Sequence, residues 1–194
     1  MIATAMAPWE RALRHVTTTL DGAGAPWLIV GSVASVLQGC EMTPRDLDIL
    51  FTSRDDLARY AARAASLALD IREERFPGGF EWHKAHHQVD GFTVDAVYIA
   101  SGGGIPDAPD GAGVWEGGPH TWDLAGEARF GEFTVLVAPL EVQLESQLRR
   151  GCEDRAQAIL AVLTRRGVDA AMLRHCLARE HYADVSASLG LDGA

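Results

Sequence analysis

Two hydrophobic periodicities alternate along this chain and predict an α/β protein. The apolar run Trp27–Val30 is short and lies between Pro26 and Gly31, which favours a buried strand over a helix. Apolar positions spaced as in amphipathic helices recur in three stretches, at residues 8–20, 55–69 and 140–178, the last with breaks at Gly151 and Gly167. Strands and helices are therefore both expected, with helices dominating the C-terminal part.

The same patterns predict where the chain divides. Residues 128–137 are typical of a hairpin that turns at Gly131-Glu132 and extends the sheet. Pro139 then opens the helical pattern. We expect a core over residues 1–138 and a C-terminal helical appendage over residues 139–194 that packs on it.

Two aspartates lie one residue apart on a second predicted strand, Asp46–Phe51. In a strand the apolar side chains of this run point to one face, and Asp46 and Asp48 point to the other. Neighbouring carboxylates repel unless a cation lies between them, and a hard ion such as Mg²⁺ suits such ligands. The alternative is that the pair forms the solvated edge of an ordinary strand.

The turn after the first strand has the composition of an anion site. Gly31 lets a bulky ligand approach the backbone, and Ser32 supplies a hydroxyl and is predicted to be an N-cap. A helix that starts here would direct free N–H groups at the anion.

A third aspartate follows a predicted hairpin. Asp90-Gly91 lies between two β-rich runs and predicts a two-residue type I′ turn. Counting outward from that turn pairs Val89 with Phe92, sets Lys84 opposite Val97, and sets His86 opposite Asp95 on the same face.

Three histidines, His83, His86 and His87, suggest a transition-metal site. In a strand His83 and His87 face one side and His86 the other, so the three cannot bind one ion. Structural or solvated roles are expected for His83 and His87. His86 differs, because the predicted register makes it a candidate acceptor or base contact beside Asp95.

Gly31-Ser32, Asp46-Leu47-Asp48 and Asp95 together resemble the pattern of the nucleotidyltransferase superfamily, which includes DNA polymerase beta. The version Thr43–Asp48 is most similar to small prokaryotic members, among them lincosamide and aminoglycoside modifiers and toxin or antitoxin proteins. The resemblance covers roughly residues 25–165. It implies a nucleotidyltransferase-type mixed sheet flanked by helices.

The resemblance also implies a chemistry. Asp46 and Asp48 would bind the Mg²⁺ ion that holds the nucleotide phosphates, and Asp95 would help to hold a second ion and activate or orient the attacking hydroxyl. Such a site transfers NMP from an NTP, ATP among them, to a hydroxyl of a small molecule or a protein side chain and releases pyrophosphate. Many members carry basic residues in the C-terminal helices. Here the corresponding residues are Gln143, Gln147, Arg149 and Arg150, so a basic contact to the nucleotide must come from the arginines.

A second function class stays open. A nucleotidyltransferase fold without catalytic activity would serve as a binding module, as an antitoxin-like partner protein does. The three aspartates favour the enzyme.

The sequence also allows predictions for two other regions. Glu141 and Glu145 lie one helical turn apart and are predicted to be a surface pair rather than an acid/base couple. Residues 101–119 contain glycine or proline at nearly every other position, so we expect a mobile loop that either covers the acceptor or only connects two elements.

Composition narrows the partners. The 194 residues, 47% hydrophobic and 23% charged, suffice for one domain with a short appendage. No apolar run approaches the length of a membrane span and the N-terminal residues lack a signal pattern, so a soluble cytoplasmic protein is expected.

A net charge of −10 disfavours a long nucleic acid and favours a small, cationic acceptor. Three cysteines are expected to be reduced, and an oligomer stays open.

Overall fold

The computed structural model describes residues 5–75, 81–100 and 107–191. Within these ranges one sheet contains seven strands: β1 (Trp27–Val30), β2 (Asp46–Phe51), β3 (Asp70–Arg75), β4 (Glu81–Val89), β5 (Phe92–Ala100), β6 (Gly126–Phe130) and β7 (Phe133–Val137). Their spatial order is β3-β4-β5-β2-β1-β7-β6. The β2–β5 and β1–β7 pairs are parallel and the others antiparallel, so the predicted mixed sheet is confirmed.

The described residues also form eight helices: α1 (Pro8–Leu20), α2 (Gly31–Leu37), α3 (Arg54–Arg63), α4 (Pro119–Leu124), α5 (Leu140–Arg149), α6 (Glu153–Arg166), α7 (Ala170–Cys176) and α8 (Arg179–Leu189). Ser53 caps α3 by accepting the Asp56 N–H. The predicted hairpin around Gly131-Glu132 is β6–β7, which extends the sheet beside β1. Strand β3 and helices α4 and α8 were not predicted. None of the described helices is long and apolar enough to cross a membrane.

Strand alternation gives the sheet two unlike faces. The back face is apolar and packs against α1 and α3; its buried side chains include Ile29, Leu47, Ile49, Val94 and Ala96. The front face carries Asp46, Asp48, His86 and Asp95, together with a smaller apolar cluster of Leu28, Val30, Leu50, Val97 and Ala138. The polar front face is thus held on a rigid, well-packed layer.

The C-terminal helices form a separate apolar cluster. Leu140, Leu144, Ile159, Leu163 and Leu173 are fully buried in it. The predicted helix breaks are confirmed, because α5 ends before Gly151 and α6 ends before Gly167, both with positive φ. The predicted division at residue 138 falls between β7 and α5.

Glu141 and Glu145 are not a surface pair, contrary to prediction. Both are buried, because α6, α7 and α8 cover the side of α5 from which they project. Arg166 binds Glu141 at 2.6 Å. Glu145 Oε2 accepts from His181 Nδ1 at 2.8 Å and from the Ala178 N–H at 2.9 Å. Each carboxylate has its own partners, and the two do not form an acid/base couple.

The glycine-rich segment is described from residue 107; the predicted loop residues 101–106 lie outside the described ranges. From Ala108 to Gly113 the chain makes an isolated antiparallel bridge. The Val114 N–H then donates to Cys176 O at 2.7 Å, and Val114 is fully buried. These contacts dock the segment on the C-terminal helices and bring its next residues over the front face.

Candidate functional site

The three predicted aspartates lie on adjacent strands of the front face. Asp48 on β2 is the direct neighbour of Asp95 on β5, and Asp46 lies two positions earlier on the same face. On the other side of β5, His86 is the cross-strand partner of Asp95. The hairpin register predicted from the sequence is therefore confirmed.

The turn of that hairpin explains why the register is fixed. Asp90 and Gly91 have φ of 51° and 78°, and a type I′ turn requires positive φ at both central positions. A two-residue turn leaves no freedom to slip by one position, so Val89 must pair with Phe92.

Gly31 allows the Gly-Ser turn to lie directly against the acidic pair. Its φ is +67°, a left-handed conformation that favours glycine. A Cβ at this position would lie 2.8 Å from Asp48 Oδ2, closer than a side chain tolerates. Both the conformation and the contact therefore require glycine here.

Ser32 does not cap α2, contrary to prediction. The helix begins at Gly31 with Val30 at the N-cap position, and no side chain provides a capping bond. Because Gly31 itself starts the helix, Ser32 lies inside the first turn, out of the N-cap position. Its Oγ is buried and has no hydrogen-bond partner among the described residues. The hydrogen-bonding capacity of this hydroxyl is therefore not used by the described residues.

Asp48 lies in a strongly anionic environment. Burial, together with the nearby carboxylates of Asp46, Glu116 and Asp95, raises the pKa of Asp48 to about 8, although Lys84 acts in the opposite direction. Ionised Asp48 is therefore unfavourable here unless a cation compensates it. A divalent ion would supply that compensation.

Asp95 is already paired. His86 Nδ1 donates to Asp95 Oδ1 at 2.7 Å, and Lys84 Nζ donates to Asp95 Oδ2 at 3.3 Å. Both oxygens are thus fixed in orientation on the side of β5 that faces β4. The sequence predicted the contact with His86; the contact with Lys84 follows from the same register, with Lys84 two residues before His86 on the same face of β4.

The other two histidines lie on the back face, so the prediction that the three cannot bind one ion is confirmed. His87 Nε2 bonds to the buried hydroxyl of Tyr60 at 2.9 Å. His83 stacks on Tyr98, with ring centroids 5.7 Å apart, and its Nδ1 lies 3.3 Å from Glu73.

The donor chemistry at Asp46 and Asp48 fits Mg²⁺, which takes carboxylate oxygens and completes its shell with water and phosphate. The close approach of Gly31 to Asp48 leaves backbone rather than side chain beside these oxygens. In the described ranges no three His, Cys, Asp or Glu side chains are arranged to hold a metal. Asp95 is the predicted ligand that would have to exchange partners, because Lys84 and His86 occupy its oxygens.

A cavity of about 180 Å³ opens beside Asp48. Lys84, Glu116 and Arg150 give it charged walls, and Trp82 and Trp115 give it aromatic ones. A second cavity of about 280 Å³ continues along the sheet and shares residues Leu50, Ile99 and Gly117 with the first. The front face therefore has a groove long enough for more than one substrate group.

Arg149, the last residue of α5, and Arg150, which follows it as the C-cap, lie in different places. Arg150 lines the cavity and binds Glu116. Arg149 instead binds Glu145 at 2.5 Å and the Ala112 carbonyl on the far side of the helix. Of the two predicted basic contacts, only Arg150 is brought to the site.

Three site residues were not predicted: Trp82, Trp115 and Glu116. Trp115 and Glu116 come from the glycine-rich segment, whose path depends on docking against α7. Trp82 had a usable signal, since it shares the face of Lys84 and His86 by strand alternation.

Neither a protein-family model nor a curated protein matches the sequence. Solved structures do match. A protein from Thermotoga maritima assigned as a nucleotidyltransferase superposes with a TM-score of 0.59 at 17% identity, over 84% of this chain and 98% of that one. The ANT(2'')-Ia complex with adenylyl-2''-tobramycin gives 0.54 at 14% identity, over 97% of this chain and 100% of that one.

A third structure extends the comparison. The lincosamide antibiotic adenylyltransferase LnuA, lincomycin-bound, superposes with a TM-score of 0.51 at 12% identity, over 82% of this chain and 99% of that one. At such identities the likeness establishes the fold, and the chain has the nucleotidyltransferase fold that its motifs predict.

Proposed function

We propose that this protein is a Mg²⁺-dependent nucleotidyltransferase that moves NMP from an NTP to an acceptor hydroxyl and releases pyrophosphate. One observation carries the proposal. Asp46, Asp48 and Asp95 share one face of adjacent strands beneath Gly31, and burial with like charges raises the pKa of Asp48 to about 8. Such a cluster has little structural use without a cation, and a nucleotide bound through Mg²⁺ supplies one.

Each residue has a role in the transfer. Asp46 and Asp48 would hold the metal, which would neutralise phosphate charge. Asp95 would contribute to a second ion once Lys84 or His86 releases one of its oxygens. The Ser32 hydroxyl, without a partner in the described residues, donates to a phosphate oxygen. Arg150 lines the cavity beside Asp48 and offers the basic contact to the donor.

The acceptor reacts at its hydroxyl. The hydroxyl oxygen forms a bond to the α-phosphorus, the bond from that phosphorus to pyrophosphate breaks, and pyrophosphate leaves with the electron pair. The hydroxyl proton passes to Asp95, which His86 and Lys84 orient. His86 is a positioning residue in this scheme and extends to the acceptor side.

ATP is the proposed donor, and a small molecule is the favoured acceptor. Two proteins of the same fold are named for adenylyl transfer or its product, with tobramycin and lincomycin as their small molecules. The net charge of −10 also disfavours a long nucleic acid as acceptor. A protein side chain is the second acceptor class.

Thermal unfolding tests the donor site. The parent protein, Asp48→Asn and the surface variant Asp184→Asn are melted with each of the four NTPs, in Mg²⁺ and in EDTA. At a hundredfold excess over Kd a bound donor adds about 2.7 kcal/mol of stability, enough to raise the midpoint clearly. We expect a Mg²⁺-dependent shift in the parent and in Asp184→Asn, largest with ATP, and none in Asp48→Asn.

The outcome separates two function classes. A shift that Asp48→Asn retains would reject the site. No shift with any nucleotide would reject the transferase and favour the binding module with the same fold. A positive result leads to a pyrophosphate-release screen over hydroxyl-bearing acceptors.

A further inference from the structure

Glu116 carries a buried carboxylate oxygen that the chain does not satisfy. Its side chain is 7% exposed and lines the cavity beside Asp48. Oε1 accepts from Arg150, whereas Oε2 is buried without a hydrogen-bond partner among the described residues. A buried carboxylate oxygen is stabilised by a donor, and no described residue supplies one to Oε2.

The walls of the cavity favour a positive charge. The rings of Trp82 and Trp115 are stacked with centroids 6.2 Å apart. Lys84 Nζ already lies 5.9 Å from the Trp82 centroid, within the range of a cation–π contact. Aromatic faces beside a carboxylate are the usual surroundings of a bound organic cation.

The basic groups of the cavity do not occupy Oε2. Lys84 is bound to Asp95, and Arg150 reaches Glu116 only through Oε1. Arg150 projects from α5 and remains 52% exposed, so it neutralises Glu116 only in part. The cavity thus combines one unpaired carboxylate oxygen, two aromatic walls and the acidic pair on β2.

We propose that Glu116 Oε2 binds an ammonium group of the acceptor and that Glu116 thereby selects cationic acceptors. The inference rests on the proposed function, because it assigns the part of this cavity beside Glu116 to the acceptor, whereas Arg150 contacts the donor. The ammonium donates to Oε2 and lies against Trp82 and Trp115, which places a neighbouring hydroxyl towards Asp48 and Asp95. Glu116 is then a specificity-determining residue of the transfer.

Binding of two small probes tests the assignment without nucleotide or metal. Benzylammonium and its neutral shape match, benzyl alcohol, are titrated into the full chain while tryptophan fluorescence is recorded. We expect the parent to bind benzylammonium at least about tenfold more tightly than benzyl alcohol. Glu116→Gln should lose that preference and retain the affinity for benzyl alcohol. Glu127→Gln, the same change at an exposed position, should behave as the parent.

Arg150→Gln separates recognition from structure. If Glu116 recognises the cation, removing its arginine partner preserves or strengthens the preference for benzylammonium. If the Glu116–Arg150 pair only holds the segment in place, both variants lose binding alike, which overturns the proposal. A preference that survives in Glu116→Gln, or equal or absent binding of the two probes by the parent, overturns it as well.

The titration repeated in Mg²⁺ separates an organic cation from a metal ion. Competition between Mg²⁺ and benzylammonium would assign Oε2 to the metal site and overturn the proposal; independent binding supports it. The melting experiment with Mg²⁺ and ATP measures binding at the donor site separately. If the parent shows no preference for benzylammonium while Mg²⁺-dependent donor binding is intact, this inference alone is rejected. If the preference is present and no donor binds, the proposed function is rejected, and the cation site at Glu116 has no acceptor role.

Discussion

Two consecutive histidines on β4 show how differently the two faces of the sheet are built. His87 faces the back, where its Nε2 bonds to the buried Tyr60 hydroxyl among apolar side chains. His86 faces the front and donates to Asp95, which Lys84 also binds. The same residue type is fixed inside the core on one side and shares a carboxylate with Lys84 on the other. Strand alternation alone separates these roles.

The two faces differ in charge. The apolar back face packs under α1 and α3, whereas the front face brings Asp46, Asp48 and Glu116 near one another. Ser32 Oγ and Glu116 Oε2 add buried polar atoms without partners in the described ranges. Ligand sites commonly carry such unfavourable groups, which bound substrate then compensates.

The largest effect is expected at Asp48. Asp48→Asn should lower nucleotidyl transfer by roughly 10³-fold or more, because the metal loses a charged ligand. The fold should be kept. Pyrophosphate release measures the loss, and Asp184→Asn at an exposed position should leave it unchanged; comparable turnover in the two variants would contradict the site.

The titration of Asp48 predicts how the free energy of unfolding depends on pH. Its folded pKa of about 8 lies above its unfolded value, so its contribution to stability is complete at low pH and is lost as the pH rises through 8. In EDTA the parent should lose stability between about pH 4 and pH 8. Asp48→Asn should lack this loss and be the more stable protein at pH 8.5. Urea unfolding at several pH values checks this, and parallel curves would show that Asp48 is not the group responsible.

Replacing a glycine by alanine is expected to have the next largest effect, and two glycines allow a matched comparison. Gly31→Ala and Gly22→Ala both place a side chain at positive φ, +67° and +64°, which costs about 1–2 kcal/mol. Only Gly31→Ala also brings a Cβ to 2.8 Å from Asp48 Oδ2. We expect Gly31→Ala to lose more than roughly 3 kcal/mol and its activity. Gly22→Ala has open space and should keep full activity; similar activity losses would contradict the close approach.

The register of the site was predictable because it depends on local rules. Asp90-Gly91 specifies a two-residue turn, and that turn alone sets His86 opposite Asp95. The alternation of Asp46 and Asp48 likewise fixes the acidic face. These features need no knowledge of distant parts of the chain.

The sequence did not predict features that depend on contacts between remote parts of the chain. The burial of Glu141 and Glu145 depends on α6, α7 and α8 packing against α5, and no local pattern predicts that packing. Glu116 reaches Asp48 only because its segment docks on the C-terminal helices. Tertiary contacts between remote segments decided both of these cases. The error at Ser32 is local, because Val30 is the N-cap and Ser32 lies two positions after it.

His86 should have a smaller effect than the aspartates, because it acts through Asp95. His86→Leu removes the Nδ1 donor and should lower turnover by roughly 10–100-fold. His86→Asn retains a donor near the Nδ1 position and should recover part of the loss. The ratio of kcat between the two variants measures the positioning; equal values would show that the hydrogen bond to Asp95 is not used.

The smallest effect belongs to the back face. Burial lowers the pKa of His87 below its ordinary value, so protonation opposes folding. The stability that neutral His87 provides is complete above about pH 6.5 and is lost as the pH falls below it. His87→Gln keeps an acceptor for the Tyr60 hydroxyl and removes the titration. We expect its free energy of unfolding to fall by about 1 kcal/mol less than that of the parent between pH 7.5 and 5.

His175→Gln, at a half-exposed position, controls for the loss of an imidazole. Nucleotidyl transfer at pH 7.5 should be unchanged in His87→Gln; a loss there as large as that of His86→Leu would mean that the two faces are coupled.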